Sequence, residues 1–538
     1  MDFITGFNRD QLIMMDFESC LGIDSWARIV DMFVDVLPMN ELGFEDVLNS
    51  EGRPPYRSAD LLKLYLYGYK NKLRSSRQLE HACKVNLEVI WLLKGLRPSA
   101  RKIAYFRKEN AKAFKMAFRH FVTLLKDWEL IEGETIAIDS FKIRAQNALK
   151  NNFNQNKIDR HIDYIDNKIL EYQNQLDTAD TDLDIQGIQN KIAYQKTKKE
   201  KYRNIEQELR TSGERQISLT DPDARSVVLH RNIINVGYNV QAGCDAKHKL
   251  FVNNDTGTVN DTHALSPMAL DAKELLGVAK MRTLTDKGYT TAKHLEICTD
   301  NGITPYSSPK EHSSQHNGLY PMIDFKYDKG IDAYTCPDGQ ILTTNGTVYD
   351  KAGHKVKHYK NRQACKVCPV RHLCTTNKNG RFIERSIYQG ALEENQKRVE
   401  ENSEYYRLRQ QITEHQFGTL KRQWGFTHTL MKGKQNVLSE VNLIMICYNL
   451  RRLMSILDPK VLRNRLKKLG PSLSALFRGI LSHGCNFLFF GLPGTYSGTK
   501  KKTVMDAPQI HIDSLILVQT EFLHRLPLAA IRHDYIIN

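Results

Sequence analysis

The sequence contains no long apolar run. The stretch CNFLFFGL is far shorter than the roughly 18 apolar residues that indicate a transmembrane helix. The first residues, MDFITGFNRD, lack the basic segment followed by an apolar one that is typical of a secretory signal peptide. We therefore expect no signal peptide, no association with a membrane and a location in the cytoplasm.

Acidic residues are in deficit. Among its 538 residues the chain has 77 Lys and Arg against 61 Asp and Glu, which gives a formal net charge of +16. A basic excess of this size favours a polyanionic partner, most simply nucleic acid, although a basic protein without such a partner is the alternative. Hydrophobic residues make up 41% of the chain, enough for a real core. The length predicts about two to four domains.

Cysteine is sparse outside one short region. Of the ten cysteines, four cluster in the segment that contains CPDG and CKVCPVRHLC: Cys336, Cys365, Cys368 and Cys374. A Cys-x2-Cys pair is a common half of a tetrahedral zinc site, and without a signal peptide a metal site is favoured over disulfides. With four thiolate ligands such a zinc would be structural, and unliganded thiols are the alternative. Three histidines are near enough in sequence to replace a cysteine ligand: His354, His358 and His372.

The first 125 residues predict mostly helices. One helix begins at Ser58 in SADLLKLYLYGYKNKL, and a second, in SSRQLEHAC, is capped by Ser75 or Ser76. Basic residues recur beside the apolar ones, as in compact helices that enter a DNA groove. An ordinary helical domain with a solvated basic face fits this segment equally well.

Residues 158–209 have a different pattern. Ile158, Ile162, Ile165 and Ile169 are spaced by four and three residues, which is typical of a narrow coiled-coil stripe. The stretch DTADTDLD interrupts this pattern, and it resumes at Ile185. We expect an antiparallel two-helix hairpin that projects from the fold. It could contact DNA or a partner subunit, but a structural insertion is the simpler interpretation.

Two acidic residues directly follow apolar strand patterns. Asp139 follows the run TIAI, and Asp286 follows TLT and precedes a Lys-Gly turn. Residues 232–310 predict the order strand, strand, helix, strand, helix, strand, which is typical of a mixed α/β sheet. If the two acidic strands are neighbours, their carboxylates lie side by side, and Mg²⁺, which prefers hard oxygen ligands, would offset their repulsion. Taken alone, Asp139 could instead cap a helix or a turn.

A third acid, Glu414, lies in the helical pattern YYRLRQQITEHQFGTLKRQWG. Leu408 and Ile412 are expected on the apolar side of this helix. Lys421 follows Glu414 by two helical turns and is expected on the same face. An acid with a downstream lysine suits a metal beside a phosphate backbone, whereas Glu414 taken alone is a solvated helix residue.

Several stretches between about residues 50 and 455 together resemble a bacterial insertion-sequence transposase of the DDE type. They are RPPYRSADLLKLYLYGY, SSRQLEHAC, AIDSFKIRAQN, DPDARS, VGYNVQAGCD, TDKGY and EHQFGTLKRQWGF. The resemblance implies an RNase H-like core in which Asp139, Asp286 and Glu414 form the catalytic triad and bind Mg²⁺ or Mn²⁺.

The resemblance also implies residues that contact DNA phosphates. Lys421 matches the spacing of the family, and Lys142 and Arg409 are further candidates. The chain departs from the family in one place. Many relatives have a Tyr and an Arg seven and four residues before the catalytic Glu, whereas here Tyr406 and Arg409 stand one residue earlier.

The expected fold is α/β, with an RNase H-like mixed sheet flanked by helices. Residues 1–125 would form an N-terminal helical, DNA-binding domain, and residues 130–455 the DDE catalytic domain. Two insertions would interrupt the catalytic domain, the coiled-coil hairpin at 150–215 and a Cys-rich zinc subdomain at 315–395. Residues 456–538 would form a basic C-terminal region without an assigned role.

The expected activity is transposition of an insertion sequence by metal-dependent phosphodiester cleavage and strand transfer, with no covalent protein–DNA intermediate. The partner would be double-stranded DNA, both transposon ends and target, bound by a homo-oligomer in the bacterial nucleoid. One alternative is a metal-dependent DNA nuclease without strand transfer. Another is a non-catalytic DNA-binding protein that retains the fold.

Overall fold

The computed structural model describes residues 16–46, 51, 54–230, 233–257, 259–309, 318–351 and 354–469. The tail from residue 470 onwards, to which the sequence assigned no role, lies outside the described residues. The same holds for the side chain of His354.

The N-terminal region is helical, as predicted. Its helices are α1 (Trp26–Asp35), α2 (Ser58–Lys70), α3 (Ser76–Val85), α4 (Leu87–Leu92), α5 (Ala100–Glu109) and α6 (Ala111–Asp127). Ser75 caps α3 through a capping box with Gln78, so of the two predicted caps Ser75 is the right one. Aromatic rings fill the centre of this region, where Phe33 and Phe121 lie 4.6 Å apart between ring centroids.

A mixed sheet forms the centre of the described chain. Its strands are β1 (Thr135–Arg144), β4 (Arg225–His230), β5 (Ile233–Asp245), β6 (Phe251–Thr256), β7 (Met281–Thr285) and β8 (Ile303–Ser307). The strand order is β4-β5-β1-β7-β8, and β6 also pairs with β5. β1 is antiparallel to β5 but parallel to β7, and β7 is parallel to β8. The helices α9 (Leu265–Leu276) and α10 (Ala292–Asp300) follow β6 and β7, so the predicted order of elements in this part is confirmed.

Strand β1 continues past Asp139. The ladder with β5 extends to Arg144, five residues beyond Asp139, while the ladder with β7 ends at Ala137 and Leu284. The alternative that Asp139 merely caps a helix or a turn is therefore wrong. Asp139 lies within one strand, at the point where the neighbouring parallel strand ends.

A two-helix hairpin follows β1. Its helices are α7 (Gln155–Leu176) and α8 (Asp182–Ser212), and a two-residue ladder between β2 (Asn152–Phe153) and β3 (Ile217–Ser218) closes its base. The helices are antiparallel, since Asp166 pairs with Lys199 and His161 stacks on Tyr202. Its small core lies near the base, where Ile158 and Leu209 are buried. The hairpin is thus present where the isoleucine spacing predicted it.

The cysteine-rich segment forms a separate antiparallel sheet with its own small core. Its order is β13-β12-β11-β10-β9, with strands β9 (Lys326–Asp328), β10 (Ala333–Thr335), β11 (Ile341–Lys351), β12 (His354–Lys360) and β13 (Phe382–Ser386). The short helix α11 (Arg362–Val367) carries one of the four clustered cysteines, Cys365. Phe325, Tyr334 and Tyr359 are among the residues that fill the core of this subdomain.

The remaining helices lead back to the main core. They are α12 (Gln389–Glu401), α13 (Ser403–Gly418), a π-helical turn (Thr419–Gln423), α14 (Lys434–Ile456) and α15 (Pro459–Lys468). α14 is buried along most of its length and packs on α2, α6 and β6. Within the described part of the chain, no helix has the length and apolar character that crossing a membrane requires.

Candidate active site

The sheet aligns the first two acids. In the parallel pairing of β1 with β7, Ala137 lies opposite Leu284, and two residues further along each strand come Asp139 and Asp286. Because side chains alternate along a strand, both carboxylates emerge on the same face of the sheet. Asp286 follows the last residue of β7 and accepts a 2.8 Å hydrogen bond from the N–H of Gly288. The neighbouring strands therefore place these carboxylates side by side, as expected if the two acidic strands are neighbours.

The Asp139 carboxylate is about one-fifth exposed and is held by several donors. Its Oδ1 accepts from the N–H of Ser140 at 2.7 Å, and its Oδ2 lies 3.2 Å from Nη1 of Arg409 and 3.1 Å from Oγ1 of Thr413. Burial raises the pKa of Asp139, and the nearby charge of Asp286 raises it further, while Ser140 and Arg409 act in the opposite direction. The carboxylate thus lies in a setting where an added cation would favour its ionised form.

The face of helix α13 that packs against the sheet differs from the one expected. Tyr406 donates to the carbonyl oxygen of Thr285 at 2.9 Å, and Arg409 and Thr413 both contact Asp139. Leu408, expected on the apolar side, is 38% exposed, whereas Ile412 is buried as expected. Arg409 is thus an ion-pair partner of a carboxylate.

Glu414 forms no hydrogen bond or ion pair with either aspartate. It is exposed and lies one residue beyond Thr413, which corresponds to a rotation of about 100° around the helix. Among the described residues, no three His, Cys, Asp or Glu side chains are grouped closely enough to hold a metal ion. The structure therefore brings together Asp139 and Asp286 and leaves the assignment of Glu414 as a prediction.

Lys421 lies in the π-helical turn after α13. Its Nζ is 5.9 Å from the ring centroid of Phe141, on the strand that carries Asp139. Burial lowers the pKa of Lys421, and the nearby charge of Lys142 lowers it further. No described acid forms an ion pair with either lysine. Two neighbouring ammonium groups without a carboxylate between them favour an anion such as a phosphate.

A polar network beside Asp286 was missed by sequence reasoning. Asp261, in the turn after β6, accepts hydrogen bonds from Nδ2 of Asn239 at 2.8 Å and from Nε2 of Gln241 at 2.7 Å. Gln241 in turn accepts from the buried hydroxyl of Tyr289, in the turn that Asp286 caps. The network fixes the turn after β7 relative to β5. Its only signal in the sequence is that polar residues interrupt an otherwise apolar β5.

The donor set at Asp139 and Asp286 suits Mg²⁺ or Mn²⁺. Both residues offer hard carboxylate oxygens, which these ions prefer to nitrogen or sulfur, and such ions commonly take only one or two carboxylates from the protein. The lysines beyond them carry the opposite charge that a phosphate substrate needs. The residues present therefore fit a divalent cation.

The four clustered cysteines line one small cavity of about 20 Å³ in the separate sheet. The N–H of Gln340 donates to Sγ of Cys336 at 3.3 Å, and Sγ of Cys368 donates to Oδ2 of Asp338 at 3.5 Å. Burial raises the pKa of the Cys374 thiol, and the other three cysteines raise it further. Four thiols around one cavity are the donor set that zinc prefers. The donor chemistry therefore fits zinc, but the four thiols are not close enough together in this structure to hold the ion.

Two segments of the chain match families of transposase domains. Residues 17–109 match the family described as "Transposase domain (DUF772)", and residues 335–454 match "Transposase DDE domain". Both matched segments are those of transposases of the DDE type. The resemblance inferred from the sequence is thereby confirmed. The DDE domain implies a catalytic DNA transposase, and such enzymes generally use divalent metal ions.

No curated protein matches the chain. One solved structure is similar, the piggyBac transposase synaptic complex with hairpin DNA, at 11% identity over 90% of this chain and 87% of that chain. Its TM-score is 0.29, too low for a common fold to be inferred.

The two family matches cover only part of the candidate site. The DDE match contains Glu414, Lys421 and the four clustered cysteines. Asp139 and Asp286 lie between the two matched segments, so their assignment depends on the geometry of β1 and β7.

Proposed function

We propose that this transposase cuts DNA and transfers the cut strands of an insertion sequence in a metal-dependent reaction on an RNase H-like core. The observation that carries the proposal is the parallel alignment of Asp139 and Asp286 at the edge of the sheet where β7 ends. The core is supported by the strand arrangement, in which the antiparallel strands β6, β5 and β1 are followed by the parallel strands β7 and β8.

Each group in the site has a distinct role. Asp139 and Asp286 hold Mg²⁺ or Mn²⁺, and Glu414 is the third acid, supplied by the helix whose Thr413 contacts Asp139. When bound, such a cation activates the attacking hydroxyl and offsets charge on the phosphate. Lys142 and Lys421 bind phosphates of the DNA.

Arg409 and Thr413 position Asp139. They hold Oδ2 of that carboxylate before DNA or metal arrives, and their hydrogen bonds keep the oxygen oriented. The remaining features serve binding and stability and take no part in the reaction itself. The N-terminal helices bind transposon ends, the cysteine-rich sheet holds a structural Zn²⁺, and DNA is bound by more than one copy of the chain.

The experiment uses DNA that carries the inverted repeats flanking the coding region, with Mg²⁺. Wild-type protein should produce both cleaved and joined strands, while Asp139→Asn and Asp286→Asn should produce neither and still bind DNA. An amide keeps the shape of the carboxylate but loses the charge that holds the metal. Full activity of Asp139→Asn would refute the assignment.

The nuclease alternative is separated by the same assay. Cleaved strands without joined products, under conditions that allow joining, would indicate a nuclease without strand transfer. Binding without cleavage by wild-type protein would indicate a DNA-binding protein that only retains the fold.

A further inference from the structure

A pocket of about 940 Å³ lies at the foot of the hairpin, where α7 begins and α8 ends. We call it the hairpin-foot pocket. Its cationic lining residues are Lys157, Arg160, Lys198 and Arg215, and none of the described residues that line it is acidic. The pocket lies outside the candidate active site and has no role in the chemistry proposed above.

The positive charge of this pocket is not neutralised. Elsewhere on the hairpin, basic side chains pair with hairpin acids, as Lys199 does with Asp166 and Arg210 with Glu206. The side chains of Lys198 and Arg215, in contrast, form no ion pair or hydrogen bond with any residue in the described part of the chain. Like charges held together without a counter-ion destabilise a fold, so an anionic ligand would reduce the repulsion between these cations.

One cation of the pocket is held in place by the backbone. Nζ of Lys157 donates to the carbonyl oxygens of Leu149, Lys150 and Asn152 at 3.2, 3.0 and 2.8 Å. No carboxylate is among its acceptors, so its charge is not neutralised, although the three carbonyls use all three N–H groups of the ammonium. The N-terminus of α7, whose cap Asn154 also lines the pocket, adds the positive end of a long helix.

His161 lies close to the positive charges of the pocket. Its ring stacks on Tyr202 with 4.7 Å between centroids and 7° between planes. Burial lowers the pKa of His161, and the charges of Lys157, Lys198 and Arg160 lower it further. Aromatic rings interleaved with unpaired cations are typical of surfaces that bind nucleic acid.

We propose that the hairpin-foot pocket binds the phosphodiester backbone of DNA as a second anchor, apart from the catalytic acids. This inference rests on the proposed DNA substrate. Asn152, on the pocket wall, follows Asp139 by 13 residues, so the two lie no more than about 45 Å apart. A duplex of about 15 base pairs spans that distance, and one DNA segment can therefore reach both places.

The pocket is tied firmly to the sheet. Oε1 of Gln216 accepts from the N–H of Ser226, on β4, at 2.8 Å and from Nδ2 of Asn152 at 3.0 Å. β4 pairs with β5, which also pairs with the strand of Asp139. DNA held in the pocket is thus positioned relative to the catalytic strand and not merely attached to a projecting arm.

The test compares two double variants of the full chain in DNA binding without divalent ions. The first is Lys198→Ala with Arg215→Ala. The control is Lys196→Ala with Arg203→Ala, which removes the same charge from exposed positions of α8 that lie outside the pocket. The probe is a duplex of about 40 base pairs, titrated by fluorescence anisotropy at several salt concentrations.

The pocket variant should bind at least about tenfold more weakly, and its log–log salt slope should be smaller by about 2, since two phosphate contacts are lost. The control should change neither quantity appreciably. A third variant, Lys198→Arg with Arg215→Lys, keeps the charges and should keep the affinity, which separates binding from misfolding. Equal effects of the pocket variant and the control would overturn the inference.

Competition separates the sources of the anion. Unlabelled duplex should displace the probe from wild-type protein much better than inorganic phosphate at the same ionic strength. Equal displacement by phosphate would mean a simple anion site and would overturn the assignment to DNA. If wild-type protein does not bind the duplex at all, the proposal that DNA is the substrate is refuted. If wild-type protein binds and the pocket variant binds equally well, only the role of the pocket is refuted.

Discussion

Arg74 and Glu440 form a buried ion pair, with 3.1 Å between Nη2 and Oε2. Arg74 follows α2, inside the N-terminal transposase domain match, and Glu440 lies on α14, inside the DDE match. Oε1 of Glu440 also accepts the N–H groups of Leu430 and Met431 at 2.8 and 2.7 Å. The ion pair therefore joins the two matched segments, and Glu440 also holds the loop between the π-helical turn and α14.

Glu440→Gln should reduce the free energy of unfolding by about 3–5 kcal/mol, because it leaves the Arg74 guanidinium buried without its counter-charge. Chemical denaturation measures this change. The control is Glu401→Gln, which breaks the exposed pair of Glu401 with Lys397 on α12 and should change stability far less. Equal effects of both substitutions would mean that the buried pair does not hold the segments together.

Glu414→Gln should abolish Mg²⁺-dependent cleavage, although Glu414 is exposed and makes no contact with Asp139. Thr413→Val removes the hydroxyl that does contact Asp139 and should reduce the rate only moderately. Cleavage of a radiolabelled duplex distinguishes the two. If Thr413→Val is inactive while Glu414→Gln is active, Glu414 is not the third acid, and the contact of Thr413 with Asp139 is what cleavage requires.

Each chain should contain one zinc ion after extensive dialysis. Cys365→Ser with Cys368→Ser should lose the metal and lower the melting temperature, because two of four thiolate ligands are removed. Cys20→Ser, outside the cluster, should retain the zinc. Elemental analysis of the three proteins is the measurement. Metal-free wild-type protein of unchanged stability would leave the cluster as a group of thiols.

DNA affinity should depend steeply on salt, given the net charge of +16. If about six phosphates are contacted, affinity should fall on the order of 10³-fold between about 50 and 200 mM salt, because each contact releases condensed counterions. Titration of wild-type protein with duplex DNA measures the slope. A nearly flat dependence would remove the electrostatic basis for the DNA partner.

Asp332 should stabilise the cysteine-rich sheet except in strong acid. Its hydrogen bonds from Lys357 at 2.8 Å and from Tyr359 at 2.6 Å lower its pKa to about 2. The stabilisation is present above the ordinary pKa near 4 and is lost as the pH falls through about 2. Asp332→Asn should therefore lower the melting temperature at neutral pH.

The comparison at low pH tests that sign. Near pH 2 the melting temperatures of Asp332→Asn and wild-type protein should converge. Asn tolerates the left-handed backbone of this residue, with φ of 47°, so the substitution does not strain the turn. Asp324→Asn, at an exposed position of the same subdomain, should have little effect at either pH. A constant difference at all pH values would contradict an origin in the ionised carboxylate.

Local pattern predicted much of the fold. The order of strands and helices from β5 to β8 was correct because each element carries its own periodicity and its own turn residues. The capping box at Ser75 depends on residues only three apart, and the hairpin on isoleucines spaced within single helices. Such signals act over one or two turns and need no knowledge of distant neighbours.

The face of α13 that meets the sheet could not be predicted in the same way. Leu408 and Ile412 are one turn apart, yet Leu408 is exposed and Ile412 is buried. The polar side chains of Arg409 and Thr413 face Asp139 because a carboxylate on β1 needs donors there. The spacing of apolar residues within α13 carries no information about this carboxylate, because the carboxylate lies on another element, β1.

By itself, the sequence determined the order of the elements, the acids that follow the apolar strand runs and the cysteine cluster, because these depend on neighbouring residues. Only the tertiary structure decided that β1 and β7 pair in parallel with Asp139 beside Asp286. It alone joined Arg74 to Glu440 and gathered the unpaired cations of the hairpin-foot pocket. These groups are far apart in sequence, so burial and charge can bring them together only after the chain has folded.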